Sequence, residues 1–237
     1  MPRLACWRPL TRTFCVASAA AWLAYADGVG HAYADEVQVW ESLTVMGRTG
    51  PERGLAAWAD VHARRRNNGT LFIVRPAIGY AFSPSLIVHV GYAVLPVVVQ
   101  DGPNTREQRI WQQVLWNREV NPQLRLQVRG RLEQRIGAGD DLGHRLRILL
   151  RAQWQPKASF AGQFVVTNET FVQLNDTDWG PPSGFDQNRA FFGIGADTRI
   201  RGVRVEAGYL NVAFRDDNRI DHVAAVNLIA NLFPDGK

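Results

Sequence analysis

The chain has 237 residues, 46% of them apolar and 21% charged, with 27 Lys and Arg against 22 Asp and Glu for a net charge of +5. This balance excludes a disordered chain, and the length allows one domain or two small ones. The only cysteines are Cys6 and Cys15, which excludes a disulfide scaffold and a cysteine-based zinc site.

The first element in the chain is an address. Arg3, Arg8 and Arg12 form a basic start, Phe14–Ala26 is apolar, and Ala32-Tyr33-Ala34 has the form of a cleavage site. That order predicts a cleaved secretory signal peptide over residues 1–34, too short to cross a bilayer as a helix. Its loss removes both cysteines and lowers the net charge from +5 to +3. The longest basic run left is Arg64-Arg65-Arg66, shorter than a nucleic-acid patch needs, so no nucleic-acid partner is expected. Residues 35–237 are expected to form a single domain.

The mature chain reads as strand after strand. Period-two alternation places strands near 36–46, 54–65, 70–82, 85–97, 106–117, 122–136, 143–154, 159–174, 185–199, 202–213 and 219–233. These eleven segments have 11–16 residues each, whereas ordinary strands have about 5–6 and a tilted membrane-crossing strand needs about 9–11. In the second segment, Asp60, His62 and Arg64 alternate with Ala59, Val61 and Ala63. In the sixth, Arg125, Gln127, Arg129, Arg131, Glu133 and Arg135 oppose Leu124, Leu126, Val128, Gly130 and Leu132. In the seventh, Arg145, Arg147 and Arg151 oppose Leu146, Ile148 and Leu150, and in the tenth, Arg204 and Glu206 oppose Val203 and Val205.

A soluble sandwich turns such charged faces outward, and a membrane barrel turns them inward. Strand length, both charge signs on one face, and short Pro/Gly turns alternating with longer Asp/Asn/Gly loops favour the barrel. The expected fold is therefore all-β: an antiparallel up-and-down transmembrane β-barrel of about 10–12 strands. Bacterial barrels usually have even parity, so the first segment reads either as a partial strand or as a sign that a twelfth is hidden. The expected location is the bacterial outer membrane. Outer-membrane lipid, lipopolysaccharide and the insertion machinery are the expected partners, and the oligomeric state is open.

Several short motifs occur in order: Glu107-x-Arg109-x-Trp111-Gln112-Gln113, Arg129-x-Arg131-Leu132-Glu133-x-Arg135, Arg145-x-Arg147, Asn168-Glu169-x-Phe171, Gln187-Asn188-Arg189-x-Phe191-x-Gly193-Ile194-Gly195, Glu206-x-Gly208-Tyr209-Leu210 and Asp221-His222. Together they resemble the bacterial outer-membrane family catalogued as domain of unknown function 2490. The resemblance spans nearly all of the mature chain and implies an outer-membrane β-barrel with no settled activity and no catalytic residues. One departure concerns the last strand. Its apolar face runs through Val226, Leu228, Ala230 and Leu232, and Phe233 is followed by Pro234-Asp235-Gly236-Lys237 rather than ending the chain.

The candidate site is the Arg/Glu face: Glu107, Arg109, Arg129, Arg131, Glu133, Arg135, Arg145, Arg147, Glu169 and Arg189. These residues read either as a self-satisfied ion-pair plug or as a conducting or solute-binding lumen. The leading expectation is a narrow pore, a solute-binding barrel or a structural barrel without catalysis. The alternatives are an outer-membrane lipase or deacylase and a soluble exported barrel that binds an apolar ligand with its Leu/Val faces inward. For the enzyme, Ser42 with His222 across the first and last strands is the one pairing with a rationale. The acidic pairs Asp140-Asp141, Asp176 with Asp178, and Asp216-Asp217 lack calcium-loop spacing and read as solvated loops. No Walker loop, dinucleotide fingerprint or zinc spacing is present, so no cofactor or metal is expected.

Overall fold

The computed structural model describes residues 37–232 except 68, 101, 158–160 and 216–218. The expected signal peptide, the tail after Leu232 and the pair Asp216-Asp217 therefore lie outside the described residues. Eleven strands occur in order: β1 (Val37–Arg48), β2 (Gly54–Arg66), β3 (Gly69–Ala81), β4 (Leu86–Val99), β5 (Thr105–Asn121), β6 (Leu124–Ile136), β7 (Leu142–Trp154), β8 (Gly162–Gln173), β9 (Gly184–Asp197), β10 (Val203–Phe214) and β11 (Ile220–Asn231). They close into one barrel, each pairing with its sequence neighbours and β1 sealing against β11.

The seam corrects the expectation of a wholly antiparallel barrel. β1 and β11 run parallel, with Val37 beside His222 and Met46 beside Asn231. The reason is arithmetical: in an up-and-down barrel with an odd strand count, the first and last strands point the same way. β1 is a full strand of 12 residues rather than a fragment, and among the described residues eleven strands close the barrel without a twelfth. The largest boundary difference is in β5, which runs on through Arg118 and Glu119 to Asn121, pairing with β6 across a bulge. Alternation is lost there because both faces become polar.

The same parity sorts the connections onto two rims. The β1–β2, β3–β4, β5–β6, β7–β8 and β9–β10 connections lie at the turn rim. The β2–β3, β4–β5, β6–β7, β8–β9 and β10–β11 connections lie at the loop rim. Here the 174–183 loop folds over the 137–141 loop. The Asp178 carboxylate accepts the Asp140 and Asp141 amides, Trp179 Nε1 donates to the Asp141 carbonyl, and the Trp179 ring lies 4.9 Å from the Arg135 guanidinium carbon. Gly137 permits this docking, since a Cβ there would collide with the Trp179 ring.

Alternation decides what each face meets. The outer face carries exposed Leu55, Ile78, Val114, Leu150, Phe192 and Leu228, and similar residues on every strand. Polar side chains that interrupt this surface find partners on the adjacent strand. Gln112 and Gln134 exchange amide hydrogen bonds at 3.1 and 3.2 Å, and Asn168 and Asn188 do so at 2.9 and 3.1 Å. Tyr209 Oη lies 2.6 Å from His222 Nδ1, and Arg65 pairs with Glu41 at 2.9 Å.

The inner face holds the charges together with two apolar clusters. One gathers Trp58, Ile73, Leu95, Trp111 and Leu115, and the other Trp40, Phe191, Leu210, Val212 and Val223. Gly91 exists for the first cluster. A Cβ there would come within 2.6 Å of both the Trp111 ring and the Pro76 carbonyl, and no rotamer change relieves a clash with backbone. The arrangement is opposite to that of a soluble barrel with an apolar interior: the charged faces point in.

Candidate functional site: an arginine-lined vestibule

The site is built on β5–β9, whose inward positions carry Arg and Glu at every second residue. Register places Glu133 directly opposite Arg145 across β6 and β7, whereas Glu169, opposite Arg189 across β8 and β9, takes its partners from β6 and β7 instead. Glu133 accepts hydrogen bonds from Arg145 at 2.6 and 3.0 Å, from Arg147 at 2.8 Å and from Arg109 at 3.5 Å. Glu107 takes Arg109 at 2.7 and 2.9 Å and Arg135 at 2.6 and 3.2 Å. Glu169 takes Arg147 at 2.8 and 3.0 Å and Arg129 at 2.7 Å. One continuous network thus joins eight of the expected residues, with Arg147 bridging two of the carboxylates.

The other two expected residues sit apart. Arg131 donates to Gln113 Oε1 at 2.6 and 3.0 Å and stacks on Trp111, approaching Glu133 only to 4.0 Å. Arg189 donates to neutral Gln187 at 2.9 and 3.0 Å and lies over the rings of Phe171 and Trp40.

Sequence reading missed two ionic centres. Arg75 of β3 donates to Asp60 Oδ1 at 2.7 Å and reaches His62 Nε2 at 2.9 Å, and Asp60 also accepts from Trp58 Nε1. Arg75 is the only charge in an apolar strand, so no pattern singled it out. Nearer the turn rim, Arg151 pairs with Glu206 across the lumen. The period had placed both on polar faces, but nothing in sequence paired β7 with β10.

These contacts divide the interior. Towards the loop rim it is packed shut: Trp111, Arg131, Glu133 and Phe171 are each at most 1% exposed, which side chains lining a water-filled channel would not be. Towards the turn rim a cavity of about 530 Å³ opens, reaching from Trp40, Arg64 and Arg189 at its floor to Asp197, Gly202 and Arg204 at its mouth. Eight arginines and five carboxylates line it. One of the five, Glu41, alternates out of the lumen and pairs with Arg65 on the outer face. The cavity is therefore strongly cationic.

The Ser42–His222 pairing is not formed. The seam does bring β1 and β11 together, but Ser42 aligns with Asn227 and His222 with Val37. Ser42 points inward and donates to Asn227 Oδ1 at 2.6 Å, while His222 points outward to Tyr209. Ser83 caps a turn by accepting the Ser85 and Leu86 amides. Among the described residues no three His, Cys, Asp or Glu side chains are grouped as metal ligands.

The model of a family described as a protein of unknown function (DUF2490) matches residues 37–223. The chain belongs to this family. The matched span runs from the start of β1 into β11 and contains every residue of the DUF2490 ion-pair network. An uncharacterized protein of Methylorubrum extorquens strain AM1 is 37% identical over 204 residues, covering 81% of this chain and 86% of that relative. No solved structure matches.

Proposed function

We propose that this DUF2490 chain is an exported outer-membrane β-barrel whose lumen is a blind, solute-binding vestibule without catalysis. The observation that carries the vestibule is the contrast along the barrel axis: solvent-excluded ion pairs on the loop side, and a 530 Å³ cationic cavity on the turn side. The membrane setting is supported by the large apolar side chains exposed on every strand, since a soluble monomer rarely exposes a contiguous apolar surface, and by the lateral pairing of its polar side chains, which hydrocarbon surroundings demand. Short turns face the periplasm in such barrels, so the vestibule opens to the periplasm and the 174–183 loop faces lipopolysaccharide.

The test is envelope fractionation of cells expressing the full chain, followed by planar-bilayer recording. Recovery in the outer membrane with heat-modifiable gel migration and a silent bilayer is expected. A detergent-free periplasmic protein would remove the membrane reading, and steady ion conduction would remove the blind lumen.

A hydrolytic reading has one observation in its favour. Ser42 faces His62 across β1 and β2, His62 Nε2 lies 3.2 Å from Asp60, and all three line the vestibule. Against it, Ser42 gives its proton to Asn227 rather than to His62, and Arg75 also occupies His62 Nε2. Hydrolysis of p-nitrophenyl butyrate that disappears with Ser42→Ala would reverse the preference.

A further inference from the structure

Two guanidinium groups on the vestibule floor have no carboxylate in ion-pair contact among the described residues. Arg64 is only 6% exposed and its Nε has no hydrogen-bond partner. The charges that act on it most are those of other arginines: Arg189, Arg75, Arg147 and Arg66. Arg189 spends its hydrogen bonds on neutral Gln187. Both guanidiniums lie over the Trp40 ring, Arg64 at 4.0 Å and Arg189 at 5.0 Å from its centroid, and both line the cavity. Elsewhere in the interior, buried arginines are answered by Glu107, Glu133, Glu169, Asp60 or Glu206, except Arg131, which rests on Gln113 and Trp111 and reaches Glu133 only at 4.0 Å. Burying a cation is costly unless an anion meets it, and a face of Trp offsets only part of that cost. The carboxylates that act on Arg189, Glu169 and Asp186, lie beyond ion-pair contact, so the vestibule floor is short of negative charge and suits an anion from outside the chain.

The surroundings describe that counter-charge. The wall beside the two arginines is apolar, formed by Trp40, Phe191, Leu210 and Ala225 of one packed cluster. A cavity of this volume is in the range of small-molecule sites, which combine apolar walls with a few placed polar groups. The planar fork of arginine matches the two oxygens of a carboxylate or phosphate.

We infer that Arg64 and Arg189 clamp the oxyanion head of a small organic acid, a carboxylate or phosphate carried on an apolar body that lies against Trp40 and Phe191. This deepens the solute-binding reading and rests on the vestibule described for it, but not on the membrane setting.

The full chain, extracted into a neutral detergent, is titrated calorimetrically with 4-phenylbutyrate, phenyl phosphate, inorganic phosphate and uncharged 4-phenylbutanol. At least one of the two organic anions is expected to bind ten-fold or more tightly than 4-phenylbutanol and inorganic phosphate. Which of the two is preferred identifies the head group. Arg64→Gln and Arg189→Gln should each weaken that binding about 10- to 100-fold, as loss of a charged hydrogen bond does. Arg64→Lys, which keeps the charge and loses the fork, should fall between. Equal affinity for the alcohol and the anions overturns the clamp, as does unchanged affinity in a folded Arg64→Gln. If that variant does not fold, the wild-type anion-to-alcohol ratio decides alone. Heat-modifiable migration of the same preparation separates the two claims: a heat-modifiable barrel that binds neither organic anion refutes the clamp and leaves the membrane barrel standing.

Discussion

Arg145 Nη2 donates to Glu133 Oε2 at 2.6 Å directly across β6 and β7, and the same carboxylate also serves Arg147 and Arg109. Glu133 is 0% exposed. Three buried cations therefore share one anion that solvent does not reach, although Arg109 also has Glu107 and Arg147 also has Glu169.

Glu133→Gln keeps the shape and removes the charge. The variant should lose about 3–5 kcal/mol, the usual cost of breaking a buried pair by deleting one partner. The heat-modifiable gel shift measures this, since the temperature at which the compact band is lost should fall well below wild type. An unchanged midpoint would show that the network contributes nothing to stability.

Two glycines on inner and outer faces of the wall make a matched pair. Gly91→Ala drives a Cβ into Trp111 and the Pro76 carbonyl, and should cost about 1–3 kcal/mol or more through overpacking. Gly130→Ala places its methyl where nothing lies within 4 Å, and should be neutral or stabilise by about 0.5–1 kcal/mol by removing glycine from a strand. Urea unfolding of the two variants side by side is the measurement. Equal effects would contradict the inward placement of residue 91.

The parallel seam is open to a chemical test. In a background with Cys6 and Cys15 replaced by Ser, Ser42→Cys with Asn227→Cys should oxidise spontaneously, because those side chains already touch at 2.6 Å. The bridge should stabilise the barrel by about 2–4 kcal/mol. Ser42→Cys with His222→Cys should not bridge, as their side chains leave opposite faces of the sheet. Mass spectrometry distinguishes the two, and cross-linking of the second pair alone would refute the register.

On the loop rim, Asp176 accepts the Ser183 amide at 2.6 Å, and that backbone hydrogen bond holds its carboxyl below the usual aspartate value. A lowered pKa makes the contact favourable above the unfolded value, about 3.9, and lost as pH falls through the folded one. The Ser183 amide resonance should therefore hold steady from neutral pH down past that value and shift only below it. Asp176→Asn should abolish the titration. A midpoint at or above the ordinary value would mean the hydrogen bond does not form in solution.

The strands and the charged face were legible because both depend on a local period, and strand length with mixed charge on that face pointed it inward. Arg129, Arg131, Glu133 and Arg135 share one strand, their partners Arg145 and Arg147 lie on the next, and a hairpin converts sequence distance into contact. Arg75 was not legible: a single charge in the run Ile73-Val74-Arg75-Pro76 has no period, and its partner Asp60 becomes visible only through the β2–β3 register. The isolation of Arg64 was hidden for a related reason. Sequence shows that a charge is present, whereas the lack of a counter-charge is a property of the whole lumen. The direction of the seam follows from strand count alone, but its alignment, and with it the separation of Ser42 from His222, depends on how the barrel closes.

The seam also bears on how the chain becomes a barrel. Every other pairing joins sequence neighbours and can zip from a turn, whereas Gln38 reaches Asp221 across 183 residues. Loop-closure entropy makes such a contact the last to form, and parallel pairing is slightly weaker per residue than antiparallel. The joining of the two free edges, β1 and β11, is therefore the step expected to come last. Stabilising the β1–β11 contact should slow unfolding of the closed barrel more than any equal gain inside a hairpin.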